Sequence, residues 1–162
     1  INKESFSVES LRSAIGDYLS QEDLFQGSVL ENLTMGKNIR LDKVKSICAK
    51  VFLVEFINGL PKGYDTMLDP QGSGLAESTV QKLLLARAVL NDPKLLLIED
   101  NLDAIDEKEK RTIVDYLRDK SNKWTVVAAT NHPYMMENAD VLIELEKGRI
   151  SFTGSYNDYK KL

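Results

Sequence analysis

Leu95-Leu96-Leu97-Ile98-Glu99-Asp100 is the stretch on which the fold turns. Four consecutive large aliphatics leave no polar face, so the run predicts a strand buried on both sides, the position strands hold in a parallel sheet covered by helices. Two acids follow at once. Upstream, about Ser78 to Leu90 reads as a helix stopped by Asn91-Asp92-Pro93, because proline has no N–H to continue the ladder. Downstream, Asp106 with Glu109 three residues on marks a second helix, with Ile113 and Leu117 facing inward. Thr125 to Thr130 predicts the next buried strand. Val141 to Leu145 and Arg149 to Thr153 flank Lys147-Gly148 as a hairpin. Strands alternating with helices make an α/β sheet, and such sheets bind ligands at the loops beyond the carboxyl ends of their strands.

The first half of the chain is more helical. Ser7 is placed to cap a short helix carrying Val8, Leu11 and Ile15, and a strand Asp17-Tyr18-Leu19-Ser20 then delivers Gln21 to a loop. Ser28-Val29-Leu30-Glu31 has capping-box spacing. Asp42 opens a helix with Val44, Ile47, Cys48 and Val51 on one side. Asn58-Gly59-Leu60-Pro61-Lys62-Gly63 is turn chemistry, and Asp69-Pro70-Gln71-Gly72-Ser73-Gly74 is a second loop.

Composition excludes several classes. The 162 residues are 43% hydrophobic and 28% charged, ordinary for a globular domain, with a net charge of −4 that offers no basic field to nucleic acid or an anionic membrane. The single cysteine, Cys48, cannot form an internal disulfide, and its helical neighbours Ile47 and Val51 predict a small buried hydrophobe rather than a reactive thiol. No apolar run is long enough to span a bilayer. No Ser/His/Asp, Cys/His or metal cluster is visible. The acidic pair Glu99-Asp100 has the chemistry to hold Mg²⁺ through water and to polarise an attacking water, although acids also end strands simply where the chain re-enters solvent.

The wider pattern adds context. Leu75-Ala76-Glu77-Ser78-Thr79-Val80-Gln81, continuing to Leu85-Ala86-Arg87-Ala88, resembles the L-S-G-G-Q signature and helix of ABC-type ATPases. Asp92-Pro93-Lys94, Glu99-Asp100 and Ala104-Ile105-Asp106 fall at that family's spacing for the strand, the acidic pair and the D-loop. Tyr18-Leu19-Ser20-Gln21-Glu22-Asp23-Leu24-Phe25 resembles the Q-loop. Glu31-Asn32-Leu33 and Leu60-Pro61-Lys62-Gly63-Tyr64-Asp65-Thr66 are similar to the helical subdomain of exporter-type members, and Ala139-Asp140, Lys147-Gly148-Arg149-Ile150 and Gly154 to the family's end. The resemblance implies a partial P-loop NTPase of ABC type: a three-layer α/β core over residues 1–21 and 83–162, with a helical subdomain inserted over 22–82. It implies ATP and Mg²⁺ as ligands, held between two nucleotide-binding domains arranged head to tail. Leu75, Ala76, Glu77 and Ser78 would face the γ-phosphate. Glu99 and Gln21 would lie on the Mg²⁺ side, Asp100 at the catalytic base, Asn131 and His132 at the switch-histidine position, and Asp106 would report across the dimer. A transmembrane domain outside this chain would dock near Gln21 to Phe25 and hold the domain at the cytoplasmic face of the membrane.

The chemical positions depart from the family while the framework positions match. No G-x-x-x-x-G-K-[ST] occurs; the nearest, Gly36-Lys37-Asn38, has Glu31 where the first glycine belongs and ends in asparagine. Because that loop precedes the Q-loop in the family and the chain starts at Ile1, the expectation is a C-terminal piece of a longer protein, inactive alone, with a sheet edge open to self-association. Ala76 replaces the signature serine, and Glu77 and Ser78 replace glycines. A carboxylate at Glu77 would repel phosphate by about 4 kcal/mol if ~4 Å away at an effective dielectric of ~20. The acidic order is Glu-Asp rather than Asp-Glu, and Asn131 follows Thr130 where histidine belongs, with His132 one place on. A regulatory or scaffold domain that kept the fold and lost turnover is the alternative. The exporter-like segment Leu60 to Thr66 argues against a soluble ABC ATPase of DNA repair or translation.

Overall fold

The computed structural model describes residues 7–19, 23–99 and 102–161. The chain divides into two compact units, 1–128 and 129–162.

In the first unit, helix α1 (Val8–Ala14) starts on Ser7, whose hydroxyl accepts the Ser10 N–H at 3.1 Å. Ile15 does not belong to that helix as its apolar spacing suggests. It opens strand β1 (Ile15–Tyr18), because its extended backbone pairs in parallel with strand β4 (Leu95–Glu99). The register puts Gly16 opposite Leu96 and Tyr18 opposite Ile98. The strand thus starts and stops two residues earlier than the expected Asp17 to Ser20; Ser20 lies outside the described residues. β4 in turn neighbours β5 (Thr125–Ala129), giving the order β1-β4-β5.

Between β1 and β4 lies the helical section. A short antiparallel pair joins β2 (Gly27–Ser28) to β3 (Met67–Leu68). Helix α2 (Val29–Thr34) begins with a complete capping box: Ser28 Oγ accepts the Glu31 N–H at 3.1 Å and Glu31 Oε2 accepts the Ser28 N–H at 2.7 Å. The Ser28 bonds hold the Glu31 carboxyl below its usual range. Helix α3 (Leu41–Lys50) buries Val44 and Cys48, and α4 (Val54–Gly59) takes Asn58 and Gly59 into its last turn before the chain breaks at Leu60. Cys48 is fully buried, and burial pushes its thiol up to about 11.

Helix α5 (Glu77–Leu90) is the spine. Gln81 and every residue from Leu83 to Leu90 are buried, so it is wrapped on all sides, with α2 and α3 among its neighbours. On the sheet side it lies against β1 so closely that a Cβ on Gly16 would sit 2.2 Å from the Ala88 carbonyl oxygen. Helix α6 (Glu107–Arg118) follows β4, burying Ile113 and Leu117 as expected, and Lys82 of α5 pairs with Glu109 of α6 at 2.5 Å.

Two strands are less covered than their composition suggests. In β4, Leu96 and Ile98 are buried while Leu95 and Leu97 are half-buried. β5 has no fully buried residue, and Val127 is 54% exposed. Its exposure alternates, so one face of β5 is left uncovered; β5 also has β4 on one side and no strand on the other among the described residues.

The second unit holds helix α7 (Pro133–Glu137), strands β6 (Leu142–Glu146) and β7 (Arg149–Gly154), and helix α8 (Tyr156–Tyr159). Lys147 and Gly148 make the hairpin turn with φ of 49° and 76°, the two positive angles that match a turn to the twist of its strands. Tyr159 Oη donates to Glu144 at 2.9 Å, and its ring lies 5.5 Å from that of Phe152. Val141, Ile143, Leu145 and Ile150 are each more than half exposed.

Candidate functional site

The mouth of α5 is built by the loop before it. Gln71, Gly72 and Gly74 have φ of 58°, 67° and 85°, folding residues 70–74 into a tight bend. Only glycine fits at 72: a Cβ there would meet Val80 at 2.7 Å and Leu24 at 3.2 Å. The bend puts Leu75 and Ser78 half in the interior and leaves Ala76 and Glu77 exposed.

Ala76 is the N-cap of α5 and brings no side-chain acceptor, so no side chain caps the first turn there. An uncapped helix N-terminus favours anions through its N–H groups and its dipole. Glu77, the first helical residue, does not cap it: its carboxylate accepts Gln81 Nε2 at 3.3 Å. The carboxylate expected to face phosphate is therefore turned along the helix, one turn inward.

The remaining sequence-predicted residues have distinct surroundings. Glu99 ends β4 at an exposed position. Asp100 and Gln21, expected as base and Mg²⁺-side residue, lie outside the described residues. Asp106 caps α6, its Oδ1 accepting the N–H groups of Lys108 at 2.9 Å and Glu109 at 3.3 Å. In the second unit Asn131 is exposed, and half-buried His132 is the N-cap of α7, its backbone N–H bonded to Thr130 Oγ1 at 2.9 Å. Among the described residues no group of three or more His, Cys, Asp or Glu side chains converges on a metal position. Among the described residues no donor set for Mg-ATP is assembled, and no hydrolytic step is derived from them.

Sequence reasoning passed over Arg87. It is 8% exposed, and its guanidinium donates to the Asn32 carbonyl oxygen at 2.8 Å, Asn32 Oδ1 at 3.1 Å and the Asp23 carbonyl oxygen at 3.0 Å. The signal was visible: one arginine inside the run Leu83 to Leu90, where burial demands partners.

No family model matches the chain. Two curated relatives match nearly all of it: ABC transporter B family member 21 of Arabidopsis thaliana, 32% identical over 98% of this chain, and the leptomycin B resistance protein pmd1 of Schizosaccharomyces pombe, 28% identical over 99%. The chain spans 12% of the length of each. Among solved structures, a bacterial Atm1-family ABC exporter with ATP bound superposes with a TM-score of 0.86 at 25% identity, over 94% of this chain and 27% of the other. By sequence over nearly its whole length and by fold, the chain belongs with the nucleotide-binding domains of exporter-type ABC transporters.

Proposed function

We propose that this chain supplies the signature and acidic-strand part of an ATPase domain that couples ATP to export, and that it does not turn over ATP alone. The observation that carries this is the α5 mouth: a helix without a side-chain cap, behind a bend that only Gly72 permits, in the stretch that resembles the signature. In the complete protein, ATP and Mg²⁺ would lie between two such domains arranged head to tail, with the phosphate loop outside these 162 residues. Residues 1–21 and 83–162 would form the α/β core and 22–82 the helical subdomain. The loop from Gln21 to Phe25 would meet a transmembrane domain at the cytoplasmic face of the membrane.

One feature favours a second reading, a regulatory or scaffold domain with a weak or silent site. Glu77 brings a carboxylate into the stretch where the resemblance places glycine, and Ala76 brings no hydroxyl. Calorimetry with Mg-ATP separates the two, comparing this chain with a longer protein that carries G-x-x-x-x-G-K-[ST] ahead of it. The chain alone should bind no tighter than about 1 mM, on the order of −4 kcal/mol. Binding only by the longer protein supports the ATPase reading; binding by neither supports the scaffold. We further propose that the open edge of β5 pairs copies of this chain, since an unpaired strand edge offers free N–H and C=O groups. Sedimentation that shows monomers at all concentrations would overturn that.

A further inference from the structure

We propose that Arg87 and Asn32 form a buried clamp that makes the loop Asp23–Gly27 move as one piece with α5, so that Arg87 is a positioning residue between the signature helix and the proposed docking loop. The clamp has two layers. Asn32 holds the loop: its Oδ1 accepts the Phe25 N–H at 3.0 Å, and its Nδ2 donates to the carbonyl oxygens of Phe25 at 2.9 Å and Ser28 at 3.1 Å. Arg87 holds Asn32 and Asp23 through the three bonds described above, and its guanidinium lies 5.8 Å from the centre of the Phe25 ring. Leu24, 2% exposed, adds a second fastening at the other end of the helix, its carbonyl oxygen accepting the Gln71 N–H at 2.7 Å. The loop is therefore tied both to the bend before α5 and to the body of α5.

A bidentate or three-way guanidinium fixes direction as well as distance, and a lysine cannot reproduce it. Side chains from two elements that bond the same backbone carry displacement between them only while those bonds hold. Phe25, 38% exposed, is the part of the clamp that faces outward, where a partner would feel it. The direction of signalling rests on the proposed function; the clamp itself rests on geometry alone.

Native-state hydrogen exchange on the full chain tests it, with no nucleotide present. In Asn32→Ala the amides of residues 23–27 should exchange about five- to tenfold faster, the effect of losing a net hydrogen bond, while those of Leu84–Leu90 change less than about twofold. Asn32→Asp keeps the acceptor for Phe25 and Arg87 and should restore most of the protection at Phe25. Arg87→Lys should release the loop as Asn32→Ala does. Loop and α5 amides accelerating together by one factor would mean a merely structural core contact and would overturn the clamp; so would an unchanged loop. Should Arg87→Lys fail to fold, the Asn32 pair decides alone. Mg-ATP binding by the longer protein is read separately: its absence beside an intact clamp sinks the ATPase reading and leaves the clamp standing.

Discussion

Helix α5 and the β6–β7 hairpin both carry large aliphatic side chains, and these meet opposite fates. Leu83, Leu85 and Leu90 are at most 1% exposed, whereas Ile143, Leu145 and Ile150 are 56%, 71% and 64% exposed. Around α5 the chain brings its own cover: α2 and α3, and β1 pressed close through Gly16. The hairpin is covered on one face only, where Phe152, Tyr159 and Glu144 meet. Apolar residues in sequence declare a demand for cover; they do not say that the cover lies in the same stretch of chain.

The comparison can be broken by mutation. Leu85→Ala should cost about 3–4 kcal/mol in urea denaturation, the sum of lost transfer energy and an unfilled cavity. A cost below about 1 kcal/mol would show the α5 core to be loose. Gly16→Ala should follow at about 2–3 kcal/mol, because the new methyl lands on a backbone carbonyl that cannot move aside. The same assay as a function of pH probes the α3 side of that core. Burial raises the Cys48 thiol from 9.0 to about 11, so the folded state prefers the neutral form. Stability from this group is complete below about pH 9 and falls between 9 and 11, at no more than about 1.4 kcal/mol per pH unit, and Cys48→Ala should flatten that fall. Ser28→Ala should cost about 1 kcal/mol by opening the capping box of α2. Leu145→Lys sits at the far end of the scale. It should change stability by less than about 0.5 kcal/mol, so a large loss there would mean the exposed hairpin face is part of the folded core after all.

Much of the local structure was legible in residues alone. Ser7, Ser28 and Asp106 announce helix starts because a short side chain that can accept the first-turn N–H groups is a local device, complete within four residues. Lys147-Gly148 announces a hairpin for the same reason. The spacing of Ile15 to Val8 and Leu11 suits a helix, but the parallel ladder to Leu95 overrides it. At the candidate site, residue type and order single out the signature-like stretch and Glu99. They do not give the direction taken by the Glu77 carboxylate, because it depends on Gln81 lying one turn on in a formed helix.

What the sequence determined by itself is therefore local or periodic: caps, turns, the helical spine from about Ser78 to Leu90, which the structure begins at Glu77, and the family resemblance carried by ordered short motifs. What only the tertiary structure decided is which apolar faces close and which polar groups meet across distance. β5 has alternate residues exposed because one of its faces is left uncovered, and Arg87 meets Asn32 from 55 residues away. Sequence spacing carries no information on such a separation; only the packing of α5 against α2 brings the two side chains into reach.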